Sequence, residues 1–115
     1  MIRRIESGAR MSQAVVANGF VFLSGQVADD TSVGVREQTQ QVLASINRLL
    51  AEAGSDKTRI VSATIYLSDM ATFGEMNRAW EPWVASDAKP ARATVEAKLA
   101  APEYLVEIQV VAVAG

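Results

Sequence analysis

Val35–Leu67 reads VREQTQQVLASINRLLAEAGSDKTRIVSATIYL, and its two periodicities decide the fold class. In the first half, Val42, Leu43, Ile46, Leu49, Leu50 and Ala53 recur at steps of three and four, the helical period. Arg36, Glu37, Gln40, Gln41 and Arg48 take the opposite side. This predicts an amphipathic helix over about Val35 to Ala53, with Gly54 placed for a left-handed C-terminal cap. In the second half, Arg59–Leu67 changes to a period of two. Val61, Ala63, Ile65 and Leu67 share one face of a strand; Ser62, Thr64 and Tyr66 share the other.

Upstream, Ser12–Ala17 and Phe20–Ser24 are β-forming runs flanking Asn18-Gly19, the strongest short hairpin signal. Ile2–Glu6 adds a preceding strand, and Val27–Gly34 is loop by composition. Downstream, about Thr72 to Ala85 reads as a second helix, with Phe73, Met76, Trp80 and Trp83/Val84 as its apolar stripe. Thr72-Phe73-Gly74-Glu75 fits a capping box, and Pro82 should kink or shorten the helix. After a loop at Ser86–Ala91, Arg92–Leu99 alternates, predicting Ala93, Val95, Ala97 and Leu99 inward. Ala100–Glu103 turns, and Tyr104–Ala114 forms the last strand.

The predicted order is β-β-β-α-β-α-β-β, an α+β domain spanning residues 1–115. Two helices cover only one face of a roughly six-stranded sheet. The other face keeps Leu105, Val111 and Val113 beside charges, which predicts burial against another subunit.

Composition limits the chemistry. The 115 residues include 11 Lys+Arg, 13 Asp+Glu, no His and no Cys, for a net charge of -2. Half of the chain is apolar and charges of both signs are mixed, which argues against disorder. Imidazole bases, thiolate nucleophiles, Cys/His zinc sites and disulfides are excluded. No global charge draws the chain to nucleic acid or anionic lipid. Its longest apolar runs are too short to span a bilayer. No Cys suits a reducing cytoplasm, and Met1–Glu6 shows no apolar signal-peptide region.

Arg92 and Glu107 are the leading catalytic candidates. If the alternating Ala and Val positions face the helices, both charged side chains point to the uncovered face. Arg grips a carboxylate through two parallel hydrogen bonds, and a Glu in a partly dry site holds or activates water. An ordinary structural ion pair is the plain alternative. A four-residue turn at 100–103 would pair Glu96 with Glu107 and Arg92 with Val111, setting Arg92 and Glu107 about 13 Å apart along the strands. Two carboxylates directly opposite repel, so one of them is then solvated, protonated, or paired with a cation from elsewhere, another subunit included. Ser24-Gly25-Gln26 offers a hydroxyl donor and a close backbone approach, or merely a strand end with a bulge. No base is present to make Ser24 a nucleophile. Asp29-Asp30 could hold a hard cation, although adjacent loop acids are usually just solvated. Trp80 and Trp83 read as core, Lys89 as a loop charge and Asn77 as a packing or loop-anchoring residue.

Taken together, SQAV (12–15), FVFLSGQ (20–26), PAR (90–92) and VEIQVVAV (106–113) resemble the RidA/YjgF family of enamine/imine deaminases. QTQQVLASINRLLAEAGSDKTRIVSATIYLSDM and FGEMNRAWEPW are similar to its helices and the strand between them. The resemblance covers nearly the whole chain. It implies a chorismate-mutase-like fold, a homotrimer with clefts between subunits, and cofactor-free hydrolysis of 2-imino acids to 2-keto acids and ammonia. It puts the carboxylate-binding Arg on Arg92, the water-handling Glu on Glu107 and the cleft Ser on Ser24. Met11 stands where many active members have Tyr, and Thr94 where Cys is frequent; both would shape the substrate cleft. The loop Ser86–Lys89 is short. These departures fit a divergent branch. The alternative reading is a trimeric module that binds small carboxylic acids without turnover. No His, basic patch or metal cluster supports a ribonuclease.

Overall fold

A computed structural model describes residues 1–115. The strands are β1 (Ile2–Ser7), β2 (Ser12–Ala17), β3 (Phe20–Leu23), β4 (Ile60–Leu67), β5 (Ala91–Glu96) and β6 (Val106–Val113). The helices are α1 (Val35–Glu52) and α2 (Phe73–Trp83). They form the expected α+β architecture, one six-stranded mixed sheet in the order β1-β2-β3-β6-β4-β5.

Local chemistry explains most boundaries. Asn18 and Gly19 take φ of 52° and 82°, as a tight turn between β2 and β3 requires. Helix α1 ends in the expected way. Gly54 adopts φ of 79°, while Ser55 N donates to Leu50 O at 2.8 Å and Gly54 N to Ala51 O at 3.1 Å. Helix α2 begins differently from the capping-box expectation. Thr72 makes no side-chain cap; a 3-10 turn, Met70–Thr72, precedes the helix, and Asp69 caps it by accepting from Ala71 N. The helix closes at Trp83, one residue after Pro82.

The core lies between the two helices and one sheet face. Val42, Leu43, Ile46, Leu49 and Leu50 of α1 and Met76 and Trp80 of α2 bury against Val21, Leu23, Ile65, Leu67, Ile108 and Val110. Each large aliphatic side chain there contributes about 1.5–3 kcal/mol through burial. Gln38 is also fully buried. It donates to Val33 O and Glu103 O and accepts from Leu105 N, fastening α1 to the segment before β6. No helix is long and apolar enough to cross a membrane.

Three expectations about the last strands are corrected. β5 and β6 do not pair through a turn at 100–103. β5 runs parallel to β4 at the sheet edge, and β6 lies antiparallel between β3 and β4. The facing of β5 is also reversed. Arg92 pairs with Ala63 and Thr94 with Ile65, so both point toward the helices. Ala93 and Val95 point to the open face, where Val95 is 42% exposed. That face carries Phe20, Phe22 and Val113 as well. Leu105, expected there, packs against the core instead.

Candidate active site

Arg92 leaves β5 on the helix side and meets α2. Phe73, Asn77 and Trp80 follow one another at steps of four and three, which stacks them on one helix stripe. Arg92 Nη1 donates to Asn77 Oδ1 at 2.8 Å. Its guanidinium carbon lies 5.7 Å from the Phe73 ring centre and 5.3 Å from that of Trp80. Both distances suit cation–π attraction. Burial pushes the guanidinium below its ordinary pKa, and the nearby Glu81 charge acts the other way. An Arg remains cationic through such a shift. None of the ion pairs in the protein includes Arg92. It borders a cleft of about 440 Å³ with Asn77, Trp80, Glu81, Ser86 and Lys89.

Glu107 belongs to the other face of the sheet. It pairs with Tyr66 on β4 and points away from the helices. Phe22 pairs with Val111, but Gln26 bridges Ile108, so one extra residue is accommodated around Ser24-Gly25. The resulting bulge brings Gly25 under the Glu107 side chain. A Cβ at Gly25 would collide with the Glu107 carboxylate, so the glycine makes room for that carboxylate. Gly25, Tyr66, Lys98, Glu107 and Gln109 border a shallow cleft of about 380 Å³. Glu107 also takes part in none of the ion pairs.

Ser24 is held beside this bulge. Its Oγ donates to Gln13 Oε1 at 3.0 Å. Gln26 Nε2 donates to the same oxygen at 3.0 Å and to Ser24 O at 3.1 Å. Met11 sits at the end of the β1–β2 turn, 54% exposed, beside Gln13. Thr94 lies two residues beyond Arg92 on the helix side, and its buried hydroxyl has no hydrogen-bond partner.

The candidates therefore form two groups. Arg92 and Thr94 share the helix side; Glu107 and Ser24 share the open side with Gly25. The expectation that Arg92 and Glu107 point to one uncovered face is overturned by their pairing with Ala63 and Tyr66. Two strand spacings and three residues of strand rise separate their positions, roughly 14 Å in the plane of the sheet. Their expected separation thus persists for a different topological reason. Asp30 is engaged within its own loop: Oδ1 accepts from Ser32 N at 3.0 Å and Ser32 Oγ at 2.5 Å. No group of three or more His, Cys, Asp or Glu side chains gathers into a metal site. The Phe73-Asn77-Trp80 cage around Arg92 is hidden in the sequence because both rings fall on the apolar stripe of α2. Gln13 also escapes the sequence pattern; the Asn18-Gly19 hairpin register, which pairs Ala14 with Leu23, is the signal that places it opposite Ser24.

Residues 1–114 match the family model described as Endoribonuclease L-PSP. The chain belongs to the RidA/YjgF family. Among relatives, a RutC family protein of Haemophilus ducreyi is 47% identical over 112 residues, covering 97% of this chain and 96% of that one. The RutC family protein YoaB of Escherichia coli is 41% identical over 111 residues, 96% of each chain. A crystal structure of a YjgF family member from Neisseria meningitidis superposes with a TM-score of 0.97 at 50% identity, covering all of this chain and 96% of that one. The RidA/YjgF relationship therefore extends from the hairpin through the final strand, and the fold is the α+β arrangement that the sequence resemblance implies.

Proposed function

We propose that the protein is a cofactor-free enamine/imine deaminase acting on 2-imino acids. One observation carries this reading: Arg92 is a half-buried cation, fixed by an amide and two rings, facing a cleft without an ion-pair partner. Desolvating a cation is unfavourable unless charge compensates it; Glu81 borders the same cleft but makes no ion pair with Arg92, so the guanidinium stays open to an anion from outside. The substrate carboxylate is that anion, bound in two parallel hydrogen bonds.

Water attacks the imine carbon and a C–O bond forms. The C=N π electrons pass to nitrogen, Glu107 relays both water protons to it in turn, the C–N bond breaks as the remaining oxygen closes to a carbonyl, and a 2-keto acid and ammonia leave. Positioning and charge complementarity supply the rate. Arg92 and Glu107 of one chain stand on opposite sheet faces and cannot attend one small imine. The reading therefore joins Arg92 of one protomer to Glu107, Gly25 and Ser24 of the next, within a homotrimer. The apolar open face, where Phe22 is 44% exposed, supports such an assembly. The absence of Cys suits work in a reducing cytoplasm.

The test generates imines in place with an amino-acid oxidase and traps them with semicarbazide. Wild-type protein competes with the trap; Arg92→Ala does not. Undiminished trapping by both, with the proteins folded and assembled, rejects the deaminase. Met11 gives a second reading its support: an exposed thioether there provides no proton donor. On that reading the same clefts bind small carboxylic acids without turnover, and calorimetry with 2-ketobutyrate, pyruvate and serine detects them.

A further inference from the structure

The cage around Arg92 has a composition that bears on how the anion is held. Within the chain, the neutral amide of Asn77 accepts a hydrogen bond from the guanidinium, and Phe73 and Trp80 lie within cation–π range. A carboxylate at position 77 would satisfy the same N–H groups more strongly, because charge-assisted hydrogen bonds are about twice as strong as neutral ones. It would also neutralise the cation. Asn77 orients without neutralising. The rings act likewise: they attract the cation through their π faces but carry no net charge. Phe73 is 40% exposed at the first position of α2, an unfavourable place for an aromatic ring unless it has a partner.

We propose that Phe73, Asn77 and Trp80 are positioning residues that hold the Arg92 guanidinium in one orientation without engaging it in a direct ion pair, so that it stays available to the ligand carboxylate. The proposal rests on the reading of Arg92 as the carboxylate anchor and deepens it. It assigns a ligand-directed role to a stripe of α2 that core packing alone would not require. Trp80 serves both purposes, since its side chain also closes the core. Phe73 and Asn77 are therefore the residues on which the two roles separate.

The experiment measures the calorimetric Kd for 2-ketobutyrate and the thermal midpoint of the assembled protein, for wild type, Arg92→Ala, Asn77→Asp, Phe73→Leu and Phe73→Tyr. Asn77→Asp keeps the shape of the side chain and creates an internal ion pair. Its expected result is a Kd raised at least about tenfold with a midpoint equal to or above wild type. Because the new carboxylate also lines the cleft and repels an anion directly, Phe73→Leu, which adds no charge, is the variant that separates positioning from repulsion. Phe73→Leu should raise Kd by about threefold, the size of an exposed cation–π contact, and Phe73→Tyr should restore it. If Arg92→Ala abolishes binding while Asn77→Asp and Phe73→Leu bind as wild type does, the cage is wrong and the anchor stands. If Arg92→Ala itself binds normally, the anchor fails and the cage falls with it.

Discussion

Arg92 and Glu107 stand two strands apart on one sheet, and their surroundings differ in kind. Arg92 is enclosed by its own chain, with an amide, two rings and the β4 backbone setting its position. Glu107 lies over a glycine, on a face that its own chain leaves open. A group that must bind the same anion in every turnover gains from being held rigidly. A group that moves protons between water and a leaving nitrogen needs room and access. On the proposed function, the single chain supplies an anion site and half of a proton-transfer site, and the apolar open face is the surface proposed to meet the second chain.

The strongest way to break this comparison is to remove the finished half. Arg92→Ala should reduce imine hydrolysis below detection in the semicarbazide assay, while the assembly survives on a sizing column. Removing the packing between chains comes next. Phe22→Asp places a charge on the open face and should dissociate the oligomer in sedimentation, with a loss of activity on the order of a hundredfold from lost positioning. Glu107→Gln should lower kcat by roughly a hundredfold or more, the contribution of one acid–base group, and leave 2-ketobutyrate binding unchanged by calorimetry. Gly25→Ala pushes the Glu107 carboxylate aside without touching Arg92. It should cost about tenfold in kcat with little change in thermal midpoint.

The smallest effect comes from residues outside both groups. Hydrogen bonds from Ser32 hold the Asp30 carboxyl below its ordinary value of 3.8, and those from Thr58 do the same for Asp56. A lowered folded-state pKa contributes stability that is present above the ordinary value and lost as pH falls through the folded one. Replacing both by Asn should lower the thermal midpoint slightly at pH 7. The gap should close as the solution is acidified below 3.8, with deaminase activity at neutral pH unaffected.

Much of the fold was legible because local signals agreed with it. The apolar stripe of α1, the Asn18-Gly19 turn and the Gly54 cap each specify short-range geometry, and each forms. The partners of β5 and β6 were not legible. Adjacency in sequence suggested a hairpin, but strand alternation says nothing about which neighbour supplies the hydrogen bonds. The α2 crossover makes β5 parallel to β4. The facing of β5 differs from the alternation pattern at Arg92. Alternation assigns Arg92 to water and Ala93 to the core, whereas the cage draws Arg92 inward and leaves Ala93 outside. Such conflicts between a local rule and the fold concentrate at functional sites. Arg92, Glu107 and Ser24 stand out as candidates in the sequence, but their division between two sheet faces requires the strand register.

The most direct test of a site shared between protomers is complementation. Arg92→Ala and Glu107→Gln chains, inactive alone, are co-expressed with different tags and purified as mixed assemblies. If one chain supplies Arg92 and its neighbour supplies Glu107, random mixing rebuilds about a quarter of the sites in a cyclic oligomer. Purification through both tags removes the two inactive parents, so each mixed trimer holds one rebuilt site of its three and should recover about a third of wild-type imine hydrolysis. Mixed assemblies as inactive as their parents would place both residues in one chain's site and contradict the account.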